Sequence, residues 1–243
     1  MKNENSESIR INKYLASCGV CSRRDADVLV SEGRVRVNGR TAQMGTQVSP
    51  GDIVEVNGNR LRGKEKTAVL AFYKPVGVTC TERDSHAEKI IRDMIDYPVR
   101  VTYAGRLDKE SEGLLILTND GDLIDAMMRG ANGHEKEYMV KVDKEVTPDF
   151  LRQMSEGVFL KELQTTTRSC VTEPVGKYTF RIILTQGLNR QIRRMCKALG
   201  YEVKSLKRVR VMNILLGNLA PGKYREVAGA ELAQLYEKCG LKK

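Results

Sequence analysis

The patterning of this chain breaks near residue 66, and no other feature limits its possible folds as much. Up to Lys66 the sequence consists of short elements separated by tight turns; from Ala68 onward, dense apolar runs and longer amphipathic segments take over. With 243 residues, there is room for one compact domain and a small second one, at roughly 100–200 residues per domain. The expected division is residues 1–66 and 67–243. Hydrophobic residues make up 41% and charged residues 30%, an ordinary composition for a folded soluble protein and not that of a disordered one. No run of about 18 apolar residues occurs, so no transmembrane helix is expected. The stretch from Met1 to Ser6 is polar and lacks the apolar core of a signal peptide. A cytoplasmic location is the resulting expectation.

In the first region, Ile11, Tyr14 and Leu15 are spaced for one helical face. Ser22 followed by Asp25 reads as an N-cap with an acidic residue three positions on, opening a second helix that carries Ala26, Leu29 and Val30 and ends at Gly33. Arg34-Val35-Arg36-Val37 alternates as a half-buried strand does, and Asn38-Gly39 is a strong hairpin signal. A further strand from Asp52 to Val56 is closed by Asn57-Gly58. The unit brings Arg10, Lys13, Arg23, Arg24, Arg34 and Arg36 close along the chain. In the run RINKYLASCGVCSRRDADVLVSEGRVRVNG it resembles the S4 RNA-binding domain. That resemblance implies docking on structured RNA, with these basic side chains on phosphates and little direct reading of sequence.

Arg60 to Lys66 is polar, basic and linker-like. Beyond it, strands are expected at residues 69–73, 114–117, 137–142, 178–184 and 203–216, and helices at 88–95, 122–128, 148–156, 190–199 and 229–239. Thr147 and Pro148 supply the N-cap and first residue of the third of these helices. Strands interrupted by helices without regular βαβ alternation indicate an α+β fold with a mixed, mostly antiparallel sheet.

The formal net charge of +10 suggests a polyanionic partner without saying which. Its distribution is more informative. Between Arg190 and Arg210 eight basic residues face the single acidic Glu202, a steep cluster of the kind phosphate backbones attract. The six cysteines are too sparse for a disulfide scaffold and read as free thiols. Cys18 and Cys21 have metal-ligand spacing, but no second pair follows and the two histidines, His86 and His134, are distant. No metal site is expected. The phosphate loop and dinucleotide fingerprint are both missing, so no nucleotide cofactor is expected. His134, beside the glycine-rich stretch 130–133, is read as a surface residue or an RNA contact.

Three segments carry the candidate chemistry. Asp108 sits in the glycine-bounded turn of Gly105-Arg106-Leu107-Asp108-Lys109, just before the apolar run Gly113 to Leu117. A carboxylate there can be held at a cleft edge, although spacing alone favours a turn aspartate capping backbone groups. Tyr138 lies on a strand, with its ring free to pack in the core or to meet a flat ligand, and pattern alone favours the core. The segment from Gln186 to Met195 leads through Gly187 into a basic helix, on which Arg190 and Arg193 are expected to share a face.

Together, LAFYKPVGV, AGRLDKESEGLLILTNDGDL, HEKEYMVKV and TQGLNRQIRRMCKALGYEV resemble the pseudouridine synthase family, in its RsuA-like branch with an N-terminal S4 domain. GHEKEYMVKVD and LKRVRVMNILLG are most similar to the RluF-type members, which act on large-subunit ribosomal RNA. The resemblance implies isomerisation of a uridine: the N-glycosidic bond is cut, the base turns over, and C5 joins the same ribose. It implies no cofactor. Asp108 carries over as nucleophile, Tyr138 as the ring stacked on the target base, and Arg193 as the cation keeping the carboxylate ionised, with Arg190 as the alternative. Ile192 is placed in the apolar wall. Lys74, Arg106, Arg190 and Arg194 are implied RNA contacts, and the base must be flipped from its stack. Ribosomal RNA is the implied partner, with transfer RNA and a ribosomal particle left open, no membrane partner, and a monomer by default. A non-catalytic RNA-binding or ribosome-assembly factor is the competing reading, sharing the basic surfaces but having no need of Asp108.

Overall fold

The computed structural model describes residues 8–81, 90–129 and 133–241. The polar tail, His86, the first residues of the helix expected at 88–95 and most of the glycine-rich stretch at 130–133 lie outside them. The chain packs into two compact units. One comprises Met1–Ala68 with Pro98–Arg100 and Asn119–Gly121; the other comprises Val69–Tyr97, Val101–Thr118 and Asp122–Lys243.

In the first unit, β1 (Ile9–Arg10) leads into α1 (Ile11–Ser17) and α2 (Arg23–Ser31). Strands β2 (Val35–Val37), β3 (Arg40–Thr41), β4 (Gln47–Val48), β5 (Val54–Val56) and β6 (Asn59–Arg60) follow. Ser22 caps α2 by accepting from the Asp25 N–H, while its hydroxyl donates to the Asp25 carboxylate. Both Asn-Gly turns have left-handed backbones, at Asn38 (φ 50°) with Gly39 and at Asn57 (φ 52°) with Gly58. This is the geometry two-residue hairpins require. Ile11, Leu15, Ala26, Val30, Val35 and Val54 form the core of this unit, with Cys21 packed against it.

The second unit is built on one sheet. Its strands are β7 (Val69–Lys74), β8 (Thr102–Ala104), β9 (Glu112–Thr118), β10 (Lys136–Val142), β13 (Val171–Gly176), β14 (Thr179–Leu184), β15 (Val203–Val211), β16 (Ile214–Leu215) and β17 (Tyr224–Glu226). The order is β13-β14-β10-β15-β9-β7-β17, with β16 beside β15 and β8 beside β9. Among the described strand pairings of this sheet, β15–β9 alone is parallel. The short hairpin of β11 (Phe159–Leu160) and β12 (Thr165–Thr166) lies apart from the sheet. The helices are α3 (Gly121–Met128), α4 (Pro148–Glu156), α5 (Gln191–Ala198) and α6 (Gly229–Lys238). Of the helix expected at 88–95, the described residues form a 3-10 helix over Ile91–Met94.

The two halves of the sheet explain two textures in the sequence. Strands β7 and β9 are buried on both faces. Val69, Ala71, Leu114 and Ile116 pack with α3 and α6 on one side, while Leu70, Phe72, Leu115 and Leu117 pack with Val78, Ile91 and Leu107 on the other. Hence their unbroken apolar runs, each large side chain contributing about 1.5–3 kcal/mol by burial. Strands β10, β14 and β15 instead alternate. One face buries Val140, Phe180, Ile182 and Leu206 against α4 and α5. The other carries an ion-pair ladder through Glu173, Arg181, Glu137, Arg210 and Glu135.

Gly113 marks where the halves meet. Its φ is +107°, and a Cβ there would lie 2.2 Å from the Arg208 carbonyl oxygen on β15. Only glycine admits that approach, which closes the parallel β15–β9 contact at the end of the Asp108 loop.

Candidate active site

A cleft of about 620 Å³ opens in the second unit, lined by residues 104–111, 127–129 and 184–192, with Lys136 and Tyr138 of β10 and Arg208 of β15. That volume suits a single nucleotide-sized ligand. Asp108 stands on its wall, in the loop between β8 and β9, with its side chain 32% exposed.

The loop is pinned on every side of Asp108. Leu107 is buried and its N–H donates to Cys80 Sγ at 3.4 Å. The Gly77 N–H donates to the Lys109 carbonyl at 2.8 Å, and the Ser111 N–H to the Asp108 carbonyl at 3.1 Å. Arg193 donates from Nη2 to the Glu110 carbonyl (3.1 Å) and to Ser111 Oγ (3.2 Å). The turn thus uses its backbone groups for anchoring, and the Asp108 carboxylate accepts no hydrogen bond among the described residues. It is not the capping aspartate that spacing alone favours.

Its cation differs from the one first expected. Arg190 Nη1 lies 3.8 Å from Asp108 Oδ2 and 2.8 Å from Glu110 Oε2. That second contact holds the Glu110 carboxyl below its ordinary range. Arg193 makes no ion pair with Asp108 and does not line the cleft; its Nε is buried without a partner. The physical reason is local. Arg190 is the N-cap of α5 and has a left-handed backbone, φ 51° and ψ 33°, so it does not share a helix face with Arg193. This turn sends its side chain to the front of the Asp108 loop, while Arg193 reaches the back.

Tyr138 is half-buried, packs against the cores on both sides of it, and lines the cleft. Its hydroxyl has no hydrogen-bond partner among the described residues. Both alternatives for its ring are thus realised in part: the body is packed and an edge remains available to a ligand. Ile192 is buried on the cleft wall, and Arg106 is exposed there. His134 also lines the cleft, with Nε2 3.2 Å from the Ala126 carbonyl; burial lowers its pKa.

One expected RNA contact is corrected. Lys74 is fully buried, and its ammonium donates to the carbonyls of Pro75 and Val78, both at 2.8 Å. It staples the turn that docks on Lys109 and is closed to RNA, because it ends a strand buried on both faces. Arg194, also expected at RNA, pairs with Glu162 at 2.9 Å and donates to the carbonyl of the cleft residue Asn189 at 3.0 Å, and is not itself part of the cleft lining.

In the first unit Arg10, Arg23, Arg24, Arg34 and Arg36 are exposed and Lys13 is half-buried. Arg34 is held by Glu32 at 2.9 Å and by Asn57. Reasoning from the sequence missed Lys136 and Arg208 as cleft residues. Lys136 was within reach, since it is two positions from Tyr138 on one strand; Arg208 required the register of β15.

Comparison with known proteins agrees with this architecture. The family model for RNA pseudouridylate synthase matches residues 68–198, and that for the S4 domain matches residues 9–54. The dual-specificity RNA pseudouridine synthase RluF of Escherichia coli (strain K12) is 46% identical over 232 residues, covering 95% of this chain and 79% of that protein. The ribosomal large subunit pseudouridine synthase B of Bacillus subtilis (strain 168) is 36% identical over 232 residues, covering 93% and 95%. A crystal structure of a pseudouridylate synthase superposes with a TM-score of 0.69 at 27% identity, covering 94% of this chain and all of that one.

Proposed function

This chain belongs to the RNA pseudouridylate synthase family, and from that premise we propose that it isomerises a uridine of ribosomal RNA, with Asp108 as the nucleophile. The observation that carries the reading is the Asp108 carboxylate itself. It is held in an anchored loop on a cleft wall, accepting no hydrogen bond among the described residues and 3.8 Å from the Arg190 guanidinium. Binding an anionic polymer gives no reason to put a carboxylate there; attack on an electron-poor carbon does.

The target base leaves its stack to reach Asp108, at a cost of a few kcal/mol. The half-buried Tyr138 ring offers it a flat apolar surface in exchange. The N1–C1′ bond then breaks, the base rotates, and C5 bonds to C1′; the bond to Asp108 is released, the hydrogen at C5 leaves as a proton and N1 takes one up. Atoms are conserved, so neither oxidant nor group donor is required. Large-subunit ribosomal RNA as substrate is supported by the name of the Bacillus subtilis relative.

The test is release of tritium to water from RNA labelled at uracil C5. The wild-type protein is expected to release it from ribosomal RNA or a ribosomal particle. Asp108→Asn, with unchanged thermal melting and RNA affinity, is expected to release none. Substantial turnover by Asp108→Asn removes Asp108 from this role. Release from transfer RNA alone replaces the ribosomal substrate, and no release from any RNA favours a binding factor.

A further inference from the structure

Two cations face the cleft without an ion-pair partner among the described residues. Lys136 and Tyr138 are two apart on β10 and point to one side of the sheet. Arg208 lies directly opposite Tyr138 on β15. In a regular strand Arg208 and Arg210 share a face, but the β10–β15 register shifts by one residue between Glu137 and Tyr138. This bulge separates the two arginines. Arg210 is sent to the ladder side, where it pairs with Glu137 at 2.8 Å and Glu135 at 2.9 Å. Arg208 is turned toward the cleft, 3% exposed, with its Nε donating to the Leu114 carbonyl at 2.7 Å.

Neither Arg208 nor Lys136 makes an ion pair among the described residues. Among the described residues the Lys136 ammonium has a single acceptor, the His134 carbonyl, at 3.4 Å. Burial, and then the neighbouring charge of Arg208, lower its pKa. The nearby carboxylates Asp108 and Glu110 are engaged by Arg190. Sheltered cations are ordinarily paired, and here two like charges stand together. A neutral uracil can accept hydrogen bonds from them but leaves both charges unbalanced. A phosphodiester carries a full negative charge and two free oxygens, the partner that charge-assisted hydrogen bonds favour.

We propose that Lys136 and Arg208 form a subsite for one phosphodiester of the substrate strand, beside the target nucleotide. The inference rests on the reading of this cleft as the place where RNA is modified, and it assigns how the strand is held there.

The experiment uses the whole protein and the shortest ribosomal RNA fragment that it retains in a filter-binding assay. Single methylphosphonate linkages, which are uncharged, are introduced one position at a time. Affinity is measured at one fixed salt concentration for wild type, Lys136→Met and Lys136→Arg. One linkage is expected to weaken wild-type binding about tenfold when neutralised and to have no further effect on Lys136→Met. On unmodified RNA, Lys136→Met is expected to lose the same factor and to lower the salt slope by about 0.7, while Lys136→Arg restores most of the affinity. A flat profile for wild type overturns the proposal, even if Lys136→Met fails to fold. So does a linkage effect that persists undiminished in Lys136→Met. Because the readout is equilibrium binding, these outcomes are independent of tritium release, whose failure would instead remove the catalytic reading.

Discussion

Lys74 shows how much a residue's role depends on where its strand lies. Its sequence position, before a proline and a glycine turn, reads as a basic group at a cleft. In the fold it is fully buried, and its ammonium holds the Pro75 and Val78 carbonyls. Desolvation lowers its pKa, opposed by Cys80 and by the carboxylates Asp108, Glu110 and Glu112. Lys74→Met removes the desolvation cost but leaves two sheltered carbonyls unpaired. The unpaired carbonyls dominate, so a loss of about 1–3 kcal/mol is expected in urea denaturation. Because the same turn is hydrogen-bonded to Lys109 through Gly77, kcat in the tritium assay is expected to fall while RNA affinity changes little. Unchanged stability would show that the turn holds without its lysine.

At the scale of elements, the outer face of β10, β14 and β15 is organised by charge. Glu137 lies at the centre of the ladder, with its side chain 15% exposed and Arg181 and Arg210 on either side. Burial alone would raise its pKa, but hydrogen bonds from Arg210 and Arg181 outweigh it and hold the carboxyl below its usual range. A carboxyl depressed by folding stabilises the fold above its unfolded pKa, and the contribution fades as pH falls through the folded value. Glu137→Gln is therefore expected to melt below wild type at pH 7, by the equivalent of about 1 kcal/mol. The difference is expected to shrink as pH drops below about 4.3. A gap that stays constant down to pH 2 would rule out the ion pairs as its source. The same face shows what the bulge in β15 accomplishes: it leaves Arg210 to complete the ladder and commits Arg208 to the cleft.

At the scale of the whole molecule, the first unit presents exposed arginines in the portion that matches the S4 domain. They are not equivalent. Arg34 is already held by Glu32 and Asn57, so a phosphate must compete for it, whereas among the described residues no ion pair holds Arg24 or Arg36. The double variant Arg24→Gln, Arg36→Gln is expected to weaken RNA binding and to lower the slope of log affinity against log salt by about 1.5. Arg34→Gln is expected to change it by less. An unaltered slope in the double variant would take both residues out of phosphate contact.

The local chemistry of this chain was legible in its sequence. Ser22 and Thr147 cap their helices, the Asn-Gly pairs at 38 and 57 make their turns, and the family blocks name the enzyme class. Asp108 and Tyr138 do line one cleft. Such features depend on residues a few positions apart, whose steric and hydrogen-bonding preferences act before any tertiary contact forms. The partners inside the cleft depend on register and on contacts between distant segments. Arg190 reaches Glu110 across 80 residues and Arg208 reaches Leu114 across 94. A left-handed residue at the start of α5 chose Arg190 over Arg193, burial on both faces of β7 closed Lys74 to solvent, and a one-residue bulge turned Arg208 inward. Each outcome is set by which strands pair and how they pack, and so tertiary structure alone decided it.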